Sequence, residues 1–103
     1  MIFKDSTLGF QSLSPQITLA LMVLEGVFIK NGIEMVITSI NDASHAKTSL
    51  HYSGNAVDIR SRTVPDKTKF LIECKIALGH SPDFDFILES DHYHLEYQPK
   101  RPI

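Results

Sequence analysis

The sequence predicts an α+β domain in which two helices pack on one face of a small, mostly antiparallel sheet. Three observations carry that expectation. Two stretches of helical periodicity, 14–32 and 63–79, are each bounded by start and stop signals. The other apolar runs are short and strand-like, and the last two flank a turn. A βαβαβ rhythm with a glycine-rich phosphate loop is absent, which argues against a nucleotide-binding fold.

Residues 1–13 carry little regular pattern and read as an extended arm pinned by Phe3, Leu8, Phe10 and Leu13. Ser14 and Pro15 then supply an N-cap and a first helical residue, and Asn31-Gly32 supplies the stop. Between them Ile17, Leu21, Leu24 and Phe28 recur at the helical period, which makes one apolar face for the core. Ile33 to Ile40 reads as a strand with Met35, Val36 and Ile37 at its buried centre. Asn41 to Ser49 is polar and loop-like. Ala56 to Ile59 reads as the next strand, with Val57 and Ile59 pointing into the core and Ala56, Asp58 and Arg60 on the opposite face. Thr63-Val64-Pro65 opens the second helix, with Asp66 in its first turn, Gly79 at its end and a buried face of Phe70, Leu71, Cys74, Ala77 and Leu78. A strand over Asp85–Leu88 pairs as a hairpin, around Glu89-Ser90-Asp91, with a strand over 92–97. His80 falls in the turn before that hairpin and reads as a loop residue. The tail from Gln98 is broken by proline.

At 103 residues the chain reads as one domain, 1–103, with a single core. Its hydrophobic fraction of 43% and charged fraction of 21% are those of a folded protein in water. A formal charge of -2 offers no basic footprint for nucleic acid. The longest apolar segment, Ile17 to Ile29, is interrupted by Thr18, Glu25 and Gly26 and is too short to span a bilayer. One cysteine, Cys74, excludes an intrachain disulfide and suits buried packing. Met1 to Phe10 lacks the pattern of a secretory signal, so synthesis in the cytoplasm is expected. The sequence leaves the oligomeric state open.

The chemistry concentrates in two stretches. In Ser49-Leu-His-Tyr-Ser-Gly-Asn-Ala-Val-Asp-Ile-Arg60, a turn at Gly54 would swing His51 back over the strand that carries Asp58. Imidazole and carboxylate are both good zinc ligands, and a third from elsewhere would leave one tetrahedral position open. Asp91-His-Tyr-His-Leu-Glu-Tyr97 supplies candidates. Alternation puts Tyr93, Leu95 and Tyr97 on one side and His92, His94 and Glu96 on the other, so either histidine is admissible. Asp91 is placed to take a proton from a water at such a site, with Glu89 as the rival carboxylate. His45 reads as a loop histidine or a substrate contact. Ser49 reads as a brace for the His51 turn, since no Gly-x-Ser-x-Gly nucleophile elbow is present.

The pattern Ser49-x-His51-x-x-Gly54-x-Ala56-x-Asp58, followed by Asp91-x-x-His94, resembles the zinc peptidase superfamily of D-alanyl-D-alanine carboxypeptidases and dipeptidases. Phage L-alanyl-D-glutamate endolysins and the Hedgehog signalling domain share its fold. The resemblance covers about residues 36–97. It implies a zinc cofactor held by His51, Asp58 and His94, with Asp91 as general base; His92, on the same strand face as His94, then reads as a residue beside the metal or the substrate. It further implies hydrolysis of peptide bonds in the peptidoglycan stem, in the periplasm, the cell wall or a phage particle. Many relatives carry an arginine in a Ser-Gly-x-Arg segment just before the first motif. Thr38-Ser-Ile-Asn-Asp42 stands there instead, and His45, Lys47 and Arg60 are the nearest cationic or titratable substitutes. The alternative on the same fold is a non-catalytic module, structural or wall-binding, that keeps zinc for stability.

Overall fold

A computed structural model of the chain describes residues 1–4, 13–41 and 54–99. The elements run β1 (Ile2–Phe3), α1 (Pro15–Lys30), β2 (Val36–Asn41), β3 (Ala56–Arg60), α2 (Lys67–Ala77), β4 (Phe84–Leu88) and β5 (His92–Tyr97). The strands form one sheet in the order β1-β2-β3-β5-β4. Only the β1–β2 pair among these is parallel. The expected arm at the N-terminus is thus an edge strand where it is described, with Lys4 N–H donating to Ile37 O at 2.8 Å.

The ends of α1 follow from the residues that suggested them. Ser14 Oγ accepts from Ile17 N–H at 3.2 Å, satisfying one of the orphan donors of the first turn. Gly32 closes the helix at φ 70°, a conformation glycine adopts without penalty, and Ile33 N–H donates back to Phe28 O at 2.9 Å. That closure occupies residues 31–33, which is why β2 starts at Val36 and not at Ile33. The second helix differs from expectation in the same way. Asp66 is its N-cap, accepting from Lys69 N–H at 3.1 Å, and not a first-turn residue. Ala77 is exposed, because α2 turns only Phe70 and Cys74 fully inward.

Helices and sheet meet in one apolar core. Ile17, Leu21, Leu24 and Phe28 of α1 pack with Ile37, Val57, Ile59, Tyr93 and Leu95 of the sheet and with Phe70 and Cys74 of α2. Phe28 meets Phe70 edge-on at 4.7 Å between centroids, and Phe86 stacks on Tyr93 at 5.3 Å. Fully burying side chains of this size stabilises by about 1.5–3 kcal/mol each. The Tyr93 hydroxyl donates to Lys67 O at 2.7 Å, so the one polar atom on this large core side chain is satisfied.

The strand alternation of β3 and β5 sends the polar residues to the other face, away from the helices. In β2 the alternation is interrupted. Ile37 pairs with Ile59 and Ser39 with Asp58, so Thr38 is an extra residue in a β-bulge. A bulge re-aims the side chains that follow it. Here it puts Ser39 on the polar face opposite Asp58 while Ile40, paired with Val57, returns to the core.

Candidate metal centre

Asp58 in the middle of β3 stands directly opposite His94 in β5, and Arg60 stands opposite His92. Because side chains at i and i+2 share a face, all four project to the same side of the sheet. Asp58 Oδ1 lies 2.8 Å from His94 Nδ1, and its Oδ2 accepts from Ser39 Oγ at 2.7 Å. His94 Nε2 reaches Glu96 Oε1 at 3.1 Å. Glu96 is 7% exposed, and its other oxygen accepts from Gln98 Nε2 at 2.5 Å. A buried carboxylate so held fixes the ring of His94 and its tautomer.

His92 is bracketed in the same fashion. Its Nδ1 lies 2.6 Å from Asp91 Oδ1, and its Nε2 lies 2.7 Å from Glu89 Oε1 and 3.3 Å from Asp58 Oδ1. Burial lowers the pKa of both imidazoles, but the carboxylates outweigh it. His92 is raised by Asp91, Asp58 and Glu89, and His94 by Asp58 and Glu96. Four carboxylates around two imidazoles leave the cluster with excess negative charge, which a divalent cation would neutralise.

Asp58, Glu89 and His94 bring ligand atoms within 4.8 Å of one another. Donor types and positions fit zinc. An ion about 2.0–2.2 Å from each ligand atom holds two of them roughly 3.3–3.5 Å apart in tetrahedral geometry. The 2.8 Å hydrogen bond between Asp58 and His94 therefore needs to open by only about half an ångström. His94 would present Nδ1, since Nε2 is committed to Glu96.

Of the residues that the sequence marks out, Asp58, His94 and His92 are brought together. His51, His45, Lys47 and Ser49 lie outside the described residues. Gly54 is described, and its φ of 75° is the turn expected before β3. The Asp91 carboxylate is 83% exposed and turned to His92 Nδ1, whereas Glu89, the rival, brings a carboxylate oxygen within 4.8 Å of ligand atoms on Asp58 and His94. Arg60 lies one same-face step from Asp58. Two contributors escaped the sequence reading. Glu96 was legible as a residue on the His94 face but not as its partner, and Ser39 was not legible, because the bulge that aims it leaves no local signature.

A family model for the Hedgehog amino-terminal signalling domain matches residues 17–97. The chain belongs to that family. Hedgehog amino-terminal domains share the zinc peptidase-like fold, in agreement with the α+β architecture and with the donor set on the polar face. The Hedgehog match begins in α1 and ends with β5, so it spans both the core and the candidate metal centre. A search of curated proteins gave no significant match. No helix among the described residues is long and apolar enough to cross a membrane.

Proposed function

We propose that this Hedgehog-type domain is a zinc-dependent peptidase whose substrate is the stem peptide of peptidoglycan. The observation that carries the reading is the convergence of Asp58, His94 and Glu89 on one point of the polar face. Asp58 and His94, with His51 as third ligand, would hold the ion, and Glu89 or Asp91 would do the proton transfer. Zinc at such a site supplies Lewis-acid polarisation of a carbonyl and acidification of a water. Glu89 is the better placed base. It takes the proton from the attacking water and returns it to the leaving amine nitrogen, while His92, bonded to Glu89 and Asp91, holds its carboxylate in position. Glu96 keeps the His94 ring oriented throughout. Peptidoglycan places the action in the periplasm or wall, reached from the cytoplasm or from within a phage particle.

A second reading has its own support. The family is described as a signalling domain, and no arginine stands in Thr38–Asp42, so a non-catalytic, zinc-stabilised module is the competing function. Incubating zinc-loaded protein with purified peptidoglycan separates the two. The peptidase releases muropeptides with new amino termini, and Glu89→Gln lowers the rate by about 10²-fold or more while keeping its zinc. A fully zinc-loaded chain that leaves the stem peptides uncut is the non-catalytic module.

A further inference from the structure

The helix layer carries an apolar surface on its outer side. Among the described residues eight large hydrophobic side chains stand exposed, and six of them lie on the two helices: Leu19, Met22, Val23 and Ile29 on α1, Ile72 and Ile76 on α2. We propose that this surface is a homodimer interface, in which the helix layer of one chain packs on the helix layer of a second copy. The inference stands apart from the peptidase reading, since the candidate metal centre lies on the opposite face of the sheet.

The surface begins in the sequence of α1. Leu19, Met22, Gly26 and Ile29 recur at intervals of three and four, which makes a second stripe opposite the core stripe of Ile17, Leu21, Leu24 and Phe28. The only charges on α1 are Glu25 and Lys30, and each is paired, with the Met1 amine and with Glu73. A helix apolar all round belongs to one covered all round, and the sheet and α2 cover a single side. The two helices present their exposed side chains together. Phe28 meets Phe70 at one end of the pair, and at the other an open hollow of about 410 Å³ is lined by Leu19, Ala20 and Val23 from α1 and by Ala77 and Leu78 from α2.

Gly26 sits in the middle of the outer stripe. Glycine is the least favourable residue of a helix interior short of proline. A Cβ at Gly26 would meet no atom within 4 Å, so among the described residues nothing packs against its bare backbone. The notch it leaves between Met22 and Ile29 lets a second helix approach closely.

Area and charge select the occupant. The six side chains together expose about 600 Å², the upper end for the largest apolar patch of a monomer and most of the roughly 800 Å² that each partner gives to a standard interface. A two-fold interface needs one self-complementary patch and no second protein. Its rim carries both signs, with Lys30 paired to Glu73 and with Lys75 and Asp83 near the hollow's end, as the rim of a protein interface does. A helix that lies on a membrane has a cationic polar face instead.

The test is sedimentation equilibrium of the full chain from about 1 to 500 µM, a range that brackets dimers of this interface size. The mass should rise from that of one chain to that of two. Leu19→Glu and Ile76→Glu, both at exposed positions, should each weaken association by at least about tenfold and together leave a monomer with unchanged circular dichroism. Gly26→Leu fills the notch, so it should raise the melting temperature of the monomer while weakening the dimer. A chain that stays monomeric throughout the range, a dimer that survives the double variant, or a dimer strengthened by Gly26→Leu would overturn the interface. A monomer that binds phosphatidylglycerol vesicles, and loses that binding in the double variant, would overturn it in favour of a lipid surface.

Discussion

Glu96 is a carboxylate 7% exposed whose two oxygens are taken by His94 and Gln98, and nothing about its position two residues after a histidine advertises that role. Its effect on a metal passes through the imidazole it orients. Glu96→Gln is expected to weaken zinc binding by about 10–100-fold while leaving the ligands in place, read by competition with a chromogenic chelator. The raised pKa values of His92 and His94 set a pH dependence of definite sign. In zinc-free protein their protonated forms are favoured by folding, so that stability is fully present below about pH 6.5 and is lost as pH rises through the folded pKa values. Zinc bound through His94, as proposed, would require its neutral imidazole and would reverse the sense. The gain in melting temperature on adding zinc should therefore grow from pH 5.5 to pH 8. A gain that is constant, or that shrinks, would separate His94 from the metal.

Elements whose ends are written in local chemistry were legible, and those shaped by closure or pairing were not. Ser14-Pro15 and Asn31-Gly32 give α1 its bounds because a cap and a positive φ are properties of single residues. Ser14→Ala should cost about 1 kcal/mol in urea unfolding, with Ser14→Gly costing only a few tenths. Ile33–Met35 looked like strand because they are apolar, yet Ile33 N–H goes to the helix end and the strand waits for Val36. Alternation showed that Asp58 and His94 each face away from the core, but not that they are opposite one another. Register is a property of two strands, and here a bulge at Thr38 also sets which β2 residue meets Asp58. That a Glu89 oxygen approaches Asp58 and His94 was not legible for the same reason, since Glu89 and Asp91 both sit in the hairpin turn and only its closed form shows how near each carboxylate comes.

The molecule as a whole divides its work between the two faces of one sheet. The helix side supplies stability through Phe28, Phe70, Phe86 and Tyr93, and the opposite side carries the candidate ligands Asp58 and His94 on strands whose other face packs into this core. The core has its own pH signature. Burial raises the Cys74 thiol from 9.0 to about 12 and the Tyr93 hydroxyl from 10.0 to about 12. The folded state keeps protons that the unfolded chain gives up, so stability should fall as pH rises from about 9 to 12, with a smaller fall in Cys74→Ala. The same burial should leave Cys74 unreactive to alkylation at pH 8.5 until the protein unfolds. Zinc stoichiometry by elemental analysis of the purified chain, with the coordination shell read by X-ray absorption, tests the central claim most directly. One zinc per chain, bound through nitrogen and oxygen only and lost in both Asp58→Ala and His94→Ala, is the predicted result. A chain that takes up no zinc, or that keeps its zinc in those two variants, would contradict it.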